Sequence, residues 1–208
     1  MGHRFAEIAF TDAVKAVQAE MGSRSGYARR EGGDAHVNDR LGPIEASFIA
    51  ERDNFFMATV GETGWPYLQH RGGPKGFLRV LGERTIGFAD FSGNRQYVSV
   101  GNLAGNDRLS IFMIDYPSRT RLKLLGRARL AGLEDCGTIA KLTHPQYRAR
   151  IERGVLITVE AFDWNCPQHI APRFTTEQVE QAIAPLKLRI AELEAALSSV
   201  RYPPPSGS

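Results

Sequence analysis

The sequence predicts a mainly β fold with flanking helices, in which an antiparallel barrel or sandwich is followed by a long C-terminal helix. About seven short apolar or alternating segments lie between Asn54 and Phe162, and turns rich in Gly, Pro and Asn separate them. Helical patterns do not alternate with these strands, so a parallel βαβ sheet is not expected. Thr175–Val200 carries a helical period instead.

Composition and charge narrow the class of protein. The chain has 208 residues, of which 42% are apolar and 24% charged, values ordinary for a soluble globular protein that buries its own core. The net charge of +3 is mild and its basic residues are scattered, so no nucleic-acid partner is expected. The two cysteines form no metal or CxxC spacing, and the N-terminus lacks the apolar core of a signal peptide. A cytoplasmic protein without a membrane partner is predicted.

Two helical segments precede the strands. Thr11–Met21 is typical of a helix capped by Thr11. Ser23–Gly42 is polar and glycine-bearing, and we expect a long loop or arm over the surface or over a partner subunit. Pro43–Arg52 predicts a second short helix. The expected domains are a helix and arm (1–42), the barrel (43–173), a dimerisation helix (174–201) and a disordered tail (202–208).

The strands are predicted from runs of β-branched, aromatic and alternating residues. In chain order they cover 55–61, 67–71, 77–82, 84–91, 108–115, 120–132 and 155–162. Cys136–Arg153, between the last two, is expected to be helical.

The stretch from Gly87 to Asn106 predicts a strand, a tight turn at Ser92–Asn94 and a helix N-terminus with Arg95 in its first turn. Free backbone N–H groups and the helix dipole favour an anion there, and the planar guanidinium of Arg95 matches phosphate oxygens. The pattern therefore indicates a phosphate site. The alternative is an ordinary turn with a solvated arginine.

The C-terminal helix carries a heptad seam, in which apolar residues recur in alternating steps of four and three. The seam consists of Val179, Ile183, Leu186, Ile190, Leu193, Leu197 and Val200. Pro185 should kink the helix or restart it. The seam either packs on the chain's own barrel or pairs with a second copy, and the strict period favours a homodimer.

Three runs between Phe56 and Arg129 resemble a known family: ATVGETGWPY, TIGFADFSGNRQ and NDRLSIFMIDYPSRTRLKLLGRARL. They are similar to the pyridoxamine 5′-phosphate oxidase-related FMN-binding split barrels, in particular the branch of flavin-nucleotide-binding proteins. The resemblance covers about residues 45–173. It implies a six-stranded Greek-key split barrel and a homodimer with FMN in each of two interface clefts.

The resemblance also implies which residues hold the phosphate. Asn94, Arg95 and Gln96 match the Ser-Arg-Lys segment that binds the FMN phosphate in the oxidase, so Ser92, Gly93 and these three form the expected phosphate turn. Gln96 stands where a lysine is usual, and Arg71 or Lys75 is expected to supply the missing charge.

Further FMN contacts follow from the same comparison. Gly72 and Gly73 replace leucines of the second-strand motif and would let the flavin approach the backbone closely. His70 beside them either contacts the flavin or faces solvent. The resemblance implies that Arg121 faces the flavin across the dimer and that Trp164 and Arg173 contribute to the FMN site. Gln168 and His169 follow a strand end, where functional loops are common, and either line the ligand or belong to a disordered polar loop. Arg121, Trp164, Gln168 and His169 are expected to come from the partner subunit.

These features lead to a hypothesis about activity. The expected function is an FMN-dependent oxidoreductase that acts on a small substrate, with NAD(P)H or oxygen as redox partner. The terminal Arg-Leu-x-Pro pattern of the oxidase is absent, so oxidation of pyridoxamine phosphate itself is not predicted. One alternative is a flavin-binding module that stores or senses FMN, and another is a split barrel that binds deazaflavin or haem.

Overall fold

A computed structural model describes residues 3–31, 38–165 and 167–201. The predicted tail at 202–208, part of the predicted arm and Cys166 lie outside the described residues. The chain forms two compact units, one comprising residues 1–115 and 120–168, the other residues 116–119 and 169–208.

The first unit contains one sheet of seven strands, and every paired strand is antiparallel. The strands are β1 (Asn54–Val60), β2 (Pro66–Gly72), β3 (Arg79–Gly82), β4 (Thr85–Phe91), β5 (Arg108–Asp115), β6 (Thr120–Ala131) and β7 (Ile151–Asn165). Their order is β2-β1-β5-β6-β7-β4-β3. The predicted antiparallel β architecture is therefore confirmed. The count is seven where the family resemblance implied six, and closure of the sheet into a barrel stays a prediction.

The described residues include seven helices. They are α1 (Arg4–Ala9), α2 (Asp12–Glu20), α3 (Arg24–Glu31), α4 (Pro43–Ala50), α5 (Val98–Gly105), α6 (Cys136–Leu142) and α7 (Thr176–Arg201). The helix predicted at Thr11 is confirmed as α2, because the Thr11 hydroxyl accepts from the Val14 amide.

Two sequence expectations about helices are wrong. Ser23–Gly42 is not only loop, since α3 forms within it and the Arg24 guanidinium pairs with the Glu31 carboxylate at 2.6 Å across the length of the helix. The helix predicted for Cys136–Arg153 ends at Leu142. Pro145 disfavours helical backbone at the residue before it, and Ile151 and Arg153 instead pair with β4.

The core of the sheet follows the alternation in the sequence. In β5, Leu109, Ile111 and Met113 are buried while their neighbours are more exposed. Phe55 stacks on Phe77 with ring centroids 5.6 Å apart. Phe55 also packs edge-on against Phe88 of β4. Each fully buried side chain of this size contributes about 1.5–3 kcal/mol, so these contacts hold β1 and β4 together.

Helix α7 runs through Pro185 as one element, so the predicted restart there does not occur. The Thr175 hydroxyl accepts from the Gln178 amide, and the Gln178 side chain accepts from the Thr175 amide. This reciprocal capping fixes where the helix begins. Within the described residues, none of the helices combines the length and the apolar character that crossing a membrane requires.

Candidate functional site

A pocket of about 300 Å³ lies in the first unit between β2, β4, β7, the turn after β4 and the start of α5. Its lining comprises Gln69, His70, Arg71, Gly72, Phe77, Phe88, Ala89, Asp90, Phe91, Gly93, Asn94, Arg95, Tyr97, Ser99, Val100 and Glu152. Cationic and hydrogen-bonding groups of the turn and of β2 thus share one cavity with aromatic side chains, an arrangement that suits a ligand with a charged end and a flat apolar part.

The turn after β4 has an unusual backbone. Arg95 and Tyr97 adopt the left-handed conformation, with φ of 61° and 53°, although neither is a glycine. The amide of Gln96 donates to Oδ1 of Asn94 at 3.2 Å. Strained backbone of this kind concentrates at binding sites. Helix α5 begins only at Val98, so the expectation that Arg95 lies in its first turn is wrong: Arg95 precedes the helix.

A chain of hydrogen bonds orients Arg95. Its Nε donates to the Tyr97 hydroxyl at 3.2 Å, and that hydroxyl donates to Oε1 of Glu152 at 3.2 Å. The bond to Tyr97 and the nearby Glu152 charge raise the pKa of Arg95 further above its ordinary value. A hydrogen bond from the Ser92 side chain, and then the bond from Tyr97, lower the pKa of Glu152. Both groups are therefore charged at neutral pH.

A second charged cluster lies deeper. The Asp90 carboxylate, 6% exposed, contacts the Arg71 guanidinium through Oδ1, and Oδ2 lies 3.6 Å from Nη1 of Arg153. Nη2 of Arg153 also contacts the Glu152 carboxylate at 3.2 Å, so two cations and two anions form one linked network at this wall. Nε of Arg71 is buried and has no hydrogen-bond partner among the described residues. An unpaired buried donor costs free energy unless a ligand satisfies it.

The family model for pyridoxamine 5′-phosphate oxidase matches residues 45–164, more than half of the chain. The chain belongs to the pyridoxamine 5′-phosphate oxidase family. The matched residues include all seven strands, apart from the last residue of β7, and the complete lining of the pocket.

Several solved structures are similar to this chain at low sequence identity. HupZ of Group A Streptococcus is 15% identical, with a TM-score of 0.47, 64% of this chain covered and 99% of that one. A pyridoxinephosphate oxidase family protein from Clostridium acetobutylicum is 15% identical, with a TM-score of 0.46 and coverage of 64% and 92%. An FMN-binding protein from Syntrophomonas wolfei is 12% identical, with a TM-score of 0.44 and coverage of 74% and 96%. Among curated proteins none matches the chain.

The structure brings six of the residues expected to bind the cofactor to the pocket: His70, Arg71, Gly72, Gly93, Asn94 and Arg95. Of the two cations proposed to replace the missing lysine, Arg71 lies in this lining. Lys75 lies outside it and pairs with Glu51 at 3.7 Å on the surface.

Three other expected residues have different neighbours. Gly73 is outside the lining, and a Cβ there would meet the Phe77 ring at 2.7 Å, so core packing requires this glycine. Ser92 lies behind the turn, where its side chain bonds Glu152. Gln96 is exposed and also lies outside the lining.

The other five expected residues, four of them assigned to a partner subunit, are not part of the lining in one chain. Trp164 donates through Nε1 to Oε1 of Glu45 at 2.9 Å and packs edge-on against Phe48. Arg121 lies on β6 opposite Ile114, and Gln168 is exposed. In the second unit, His169 has a left-handed backbone and the Arg173 guanidinium lies 4.8 Å from the Tyr116 ring centre. Their contact with the cofactor stays a prediction.

Sequence reasoning missed ten residues of the lining, among them Asp90, Tyr97 and Glu152, which orient the two arginines. It also missed Arg153, which contacts Asp90 from outside the lining. Asp90 had a signal, since it is a charged residue inside the apolar strand TIGFADF, and a buried charge needs a partner. Glu152 and Arg153 carried none, because they fell in a segment predicted to be helical.

Proposed function

We propose that this protein binds FMN non-covalently and acts as an oxidoreductase on a small substrate. The observation that carries the proposal is the pocket where Arg95, on its strained turn, and Arg71, with its unpaired buried Nε, face one cavity. Two guanidinium groups that line one cavity suit a phosphate monoester. Membership of the family supports FMN as the molecule that carries the phosphate.

The residues present fit this cofactor. Arg95 would pair with the phosphate, and the neighbouring turn would donate backbone N–H groups to it. A Cβ at Gly93 would meet nothing within 4 Å, so the turn leaves open space beside its backbone. Phe88, Ala89 and Val100 supply apolar lining. FMN, when bound, supplies the electron and hydride transfer; the chain binds it, orients it and excludes water.

A second copy of the chain is part of the proposal. The sheet face opposite the core carries Phe56 and Phe112, which lie opposite each other on β1 and β5, and Leu68 of β2, which lies opposite Ala58. Leu68 is 63% exposed. An apolar exposed face on a sheet favours association, and a homodimer would place Arg121, Trp164, Gln168, His169 and Arg173 of one copy beside the cofactor of the other. A cytoplasmic location belongs to the same proposal.

One observation favours the second candidate, a module that stores or senses FMN without turnover. The acidic side chains in the lining are both engaged: Asp90 with Arg71 and Arg153, and Glu152 with Tyr97 and Ser92. Neither is placed as a free general acid or base. Rapid mixing of the flavin-loaded protein with NADH and with NADPH separates the candidates. In an oxidoreductase one of these donors reduces the flavin and its absorbance falls, whereas in a storage or sensing module the flavin stays oxidised.

Binding itself is tested by the absorption spectrum of the purified protein and by mass spectrometry of the released ligand. A flavin spectrum and the mass of FMN are expected. Arg95→Ala should weaken FMN binding about ten- to a hundredfold, the loss of one charged hydrogen bond. Arg40→Ala is the control, because Arg40 pairs with Glu83 on the surface, outside the pocket. Equal affinity of both variants, or a colourless protein that binds no FMN, would refute the proposal.

A further inference from the structure

Helix α7 exposes an apolar seam in the described chain. Val179 is 45% exposed, Leu186 62%, Ile190 55%, Leu193 48% and Leu197 63%. Large apolar side chains in a continuous row are costly in water, and such a row marks an interaction surface. The spacing of the row identifies the kind of partner.

The seam follows a heptad repeat with a defined assignment. Because the steps alternate between four and three, Ile183, Ile190 and Leu197 take position a, and Val179, Leu186 and Leu193 take position d. Isoleucine at a with leucine at d favours two parallel strands, and the two central heptads, with Ile183 and Leu186 and then Ile190 and Leu193, follow this pattern. Pro185 falls at position c, away from the seam, where its missing N–H does not interrupt the contact.

The flanking charges agree with a parallel pair. Arg189 is at position g and Glu194 at the following position e, so in a parallel, in-register pair each arginine faces the glutamate of the other copy. Within one helix, Arg189 pairs with Glu192 at 2.9 Å, and both side chains are about two-thirds exposed, so they remain accessible. In an antiparallel pair centred on the same heptads, Arg189 of one helix would face Arg189 of the other. The repulsion between these like charges disfavours that arrangement.

We propose that α7 forms a parallel, in-register, two-stranded coiled coil with α7 of a second copy of this chain. The pair has two-fold symmetry along the helices, so it is compatible with a closed dimer. The proposal concerns an interaction surface separate from the pocket, and its outcome does not depend on whether FMN binds.

Engineered cysteines in the full-length chain test the arrangement. In a background with Cys136→Ser and Cys166→Ser, Leu193→Cys places a thiol at position d, where two parallel copies bring their Cβ atoms together. Mild oxidation should yield a disulfide-linked dimer on a non-reducing gel. Leu188→Cys is the matched control, since Leu188 is 68% exposed on the same helix but lies at position f, on the outer side.

Charge reversal gives a second readout. Arg189→Glu in the Leu193→Cys chain should reduce cross-linking, and adding Glu194→Arg should restore it. Absence of cross-linking with Leu193→Cys, or equal cross-linking with Leu188→Cys, overturns the proposal. The flavin content of the same samples is measured in parallel, so failure of the coiled coil is distinguished from failure of the cofactor site.

Discussion

At the scale of single residues, the candidate site concentrates two features that ordinary folding does not favour. Arg95 and Tyr97 hold left-handed backbone, and Nε of Arg71 is buried without a partner in the described part of the chain. Each costs stability in the empty protein. Both lie in the same pocket lining, and a bound anion would use the groups that they position.

The strain at Arg95 can be separated from its charge. Glycine adopts φ near 61° without the steric cost that a Cβ imposes. Arg95→Gly should therefore melt about 2–4 °C above Arg95→Ala, while both variants lose FMN affinity equally. Differential scanning calorimetry and FMN titration measure the two effects. A Gly variant that melts at or below the Ala variant would mean that the turn stores no strain.

The charge of Glu152 predicts that the free energy of unfolding depends on pH. Its pKa is lowered in the folded chain, chiefly by the hydrogen bond from Ser92, from the ordinary value of 4.5. A carboxylate with a lowered pKa stabilises the fold fully above pH 4.5, and the contribution is lost as the pH falls through the lowered value.

Urea unfolding of the wild-type chain and of Glu152→Gln from pH 7 to pH 3 measures this contribution. The stability gap between them should be constant above pH 4.5 and shrink below it. Glu83→Gln, which removes an exposed carboxylate paired with Arg40, is the control. A gap for Glu152→Gln that does not change with pH would contradict the assignment.

At the scale of secondary-structure elements, the close pairing of β6 with β7 depends on a glycine. The register between these strands shifts between Leu125 and Gly126. A Cβ at Gly126 would meet the Thr158 carbonyl oxygen and a methyl of Ile157, each at 2.7 Å. Backbone cannot move away as a flexible side chain can, so this irregularity tolerates no larger residue.

Gly126→Ala should therefore lower the free energy of unfolding by about 1–3 kcal/mol, the usual cost of overpacking a core. Gly82→Ala on the edge strand β3 is the matched control, because a Cβ there would meet nothing within 4 Å. Chemical denaturation of both variants measures the difference. Equal stabilities would show that β6 and β7 can separate to admit the methyl group.

At the scale of the whole molecule, the proposed cofactor site combines residues of two copies. In this proposal the pocket of one chain binds the phosphate, and the expected contacts that lie outside its lining come from the second copy. The apolar outer face around Leu68 is the proposed place of contact between the copies.

Leu68→Glu should weaken FMN binding at least about tenfold, because a charge there opens the contact between the two sheets while the phosphate turn stays intact. Leu188→Glu introduces the same charge at an equally exposed leucine of α7 and should leave binding unchanged. FMN fluorescence during titration gives both affinities. Unchanged binding by Leu68→Glu would mean that one chain holds the cofactor alone.

How far sequence reasoning reached differs between elements. Strands β1, β2, β4, β5 and β6 were predicted close to their observed bounds, because apolar and polar residues tend to alternate along a half-buried strand. The segment from Cys136 to Arg153 was misjudged, since its polar composition does not reveal that Ile151–Arg153 pairs with β4. The turn with Arg95 was found from local chemistry, whereas Glu152 was not, because it lies 57 residues further along the chain from Arg95.

The sequence by itself determined the antiparallel β class, the Ser92–Asn94 turn after β4 and the heptad seam of α7. Each of these depends on residues close together in the chain. Only the tertiary structure decided the order of the seven strands, that Arg71 and not Lys75 shares a pocket with Arg95, and that Asp90 and Glu152 hold these cations. Those contacts join strands distant in sequence, and their pairing follows from the packing of the whole sheet rather than from any local pattern.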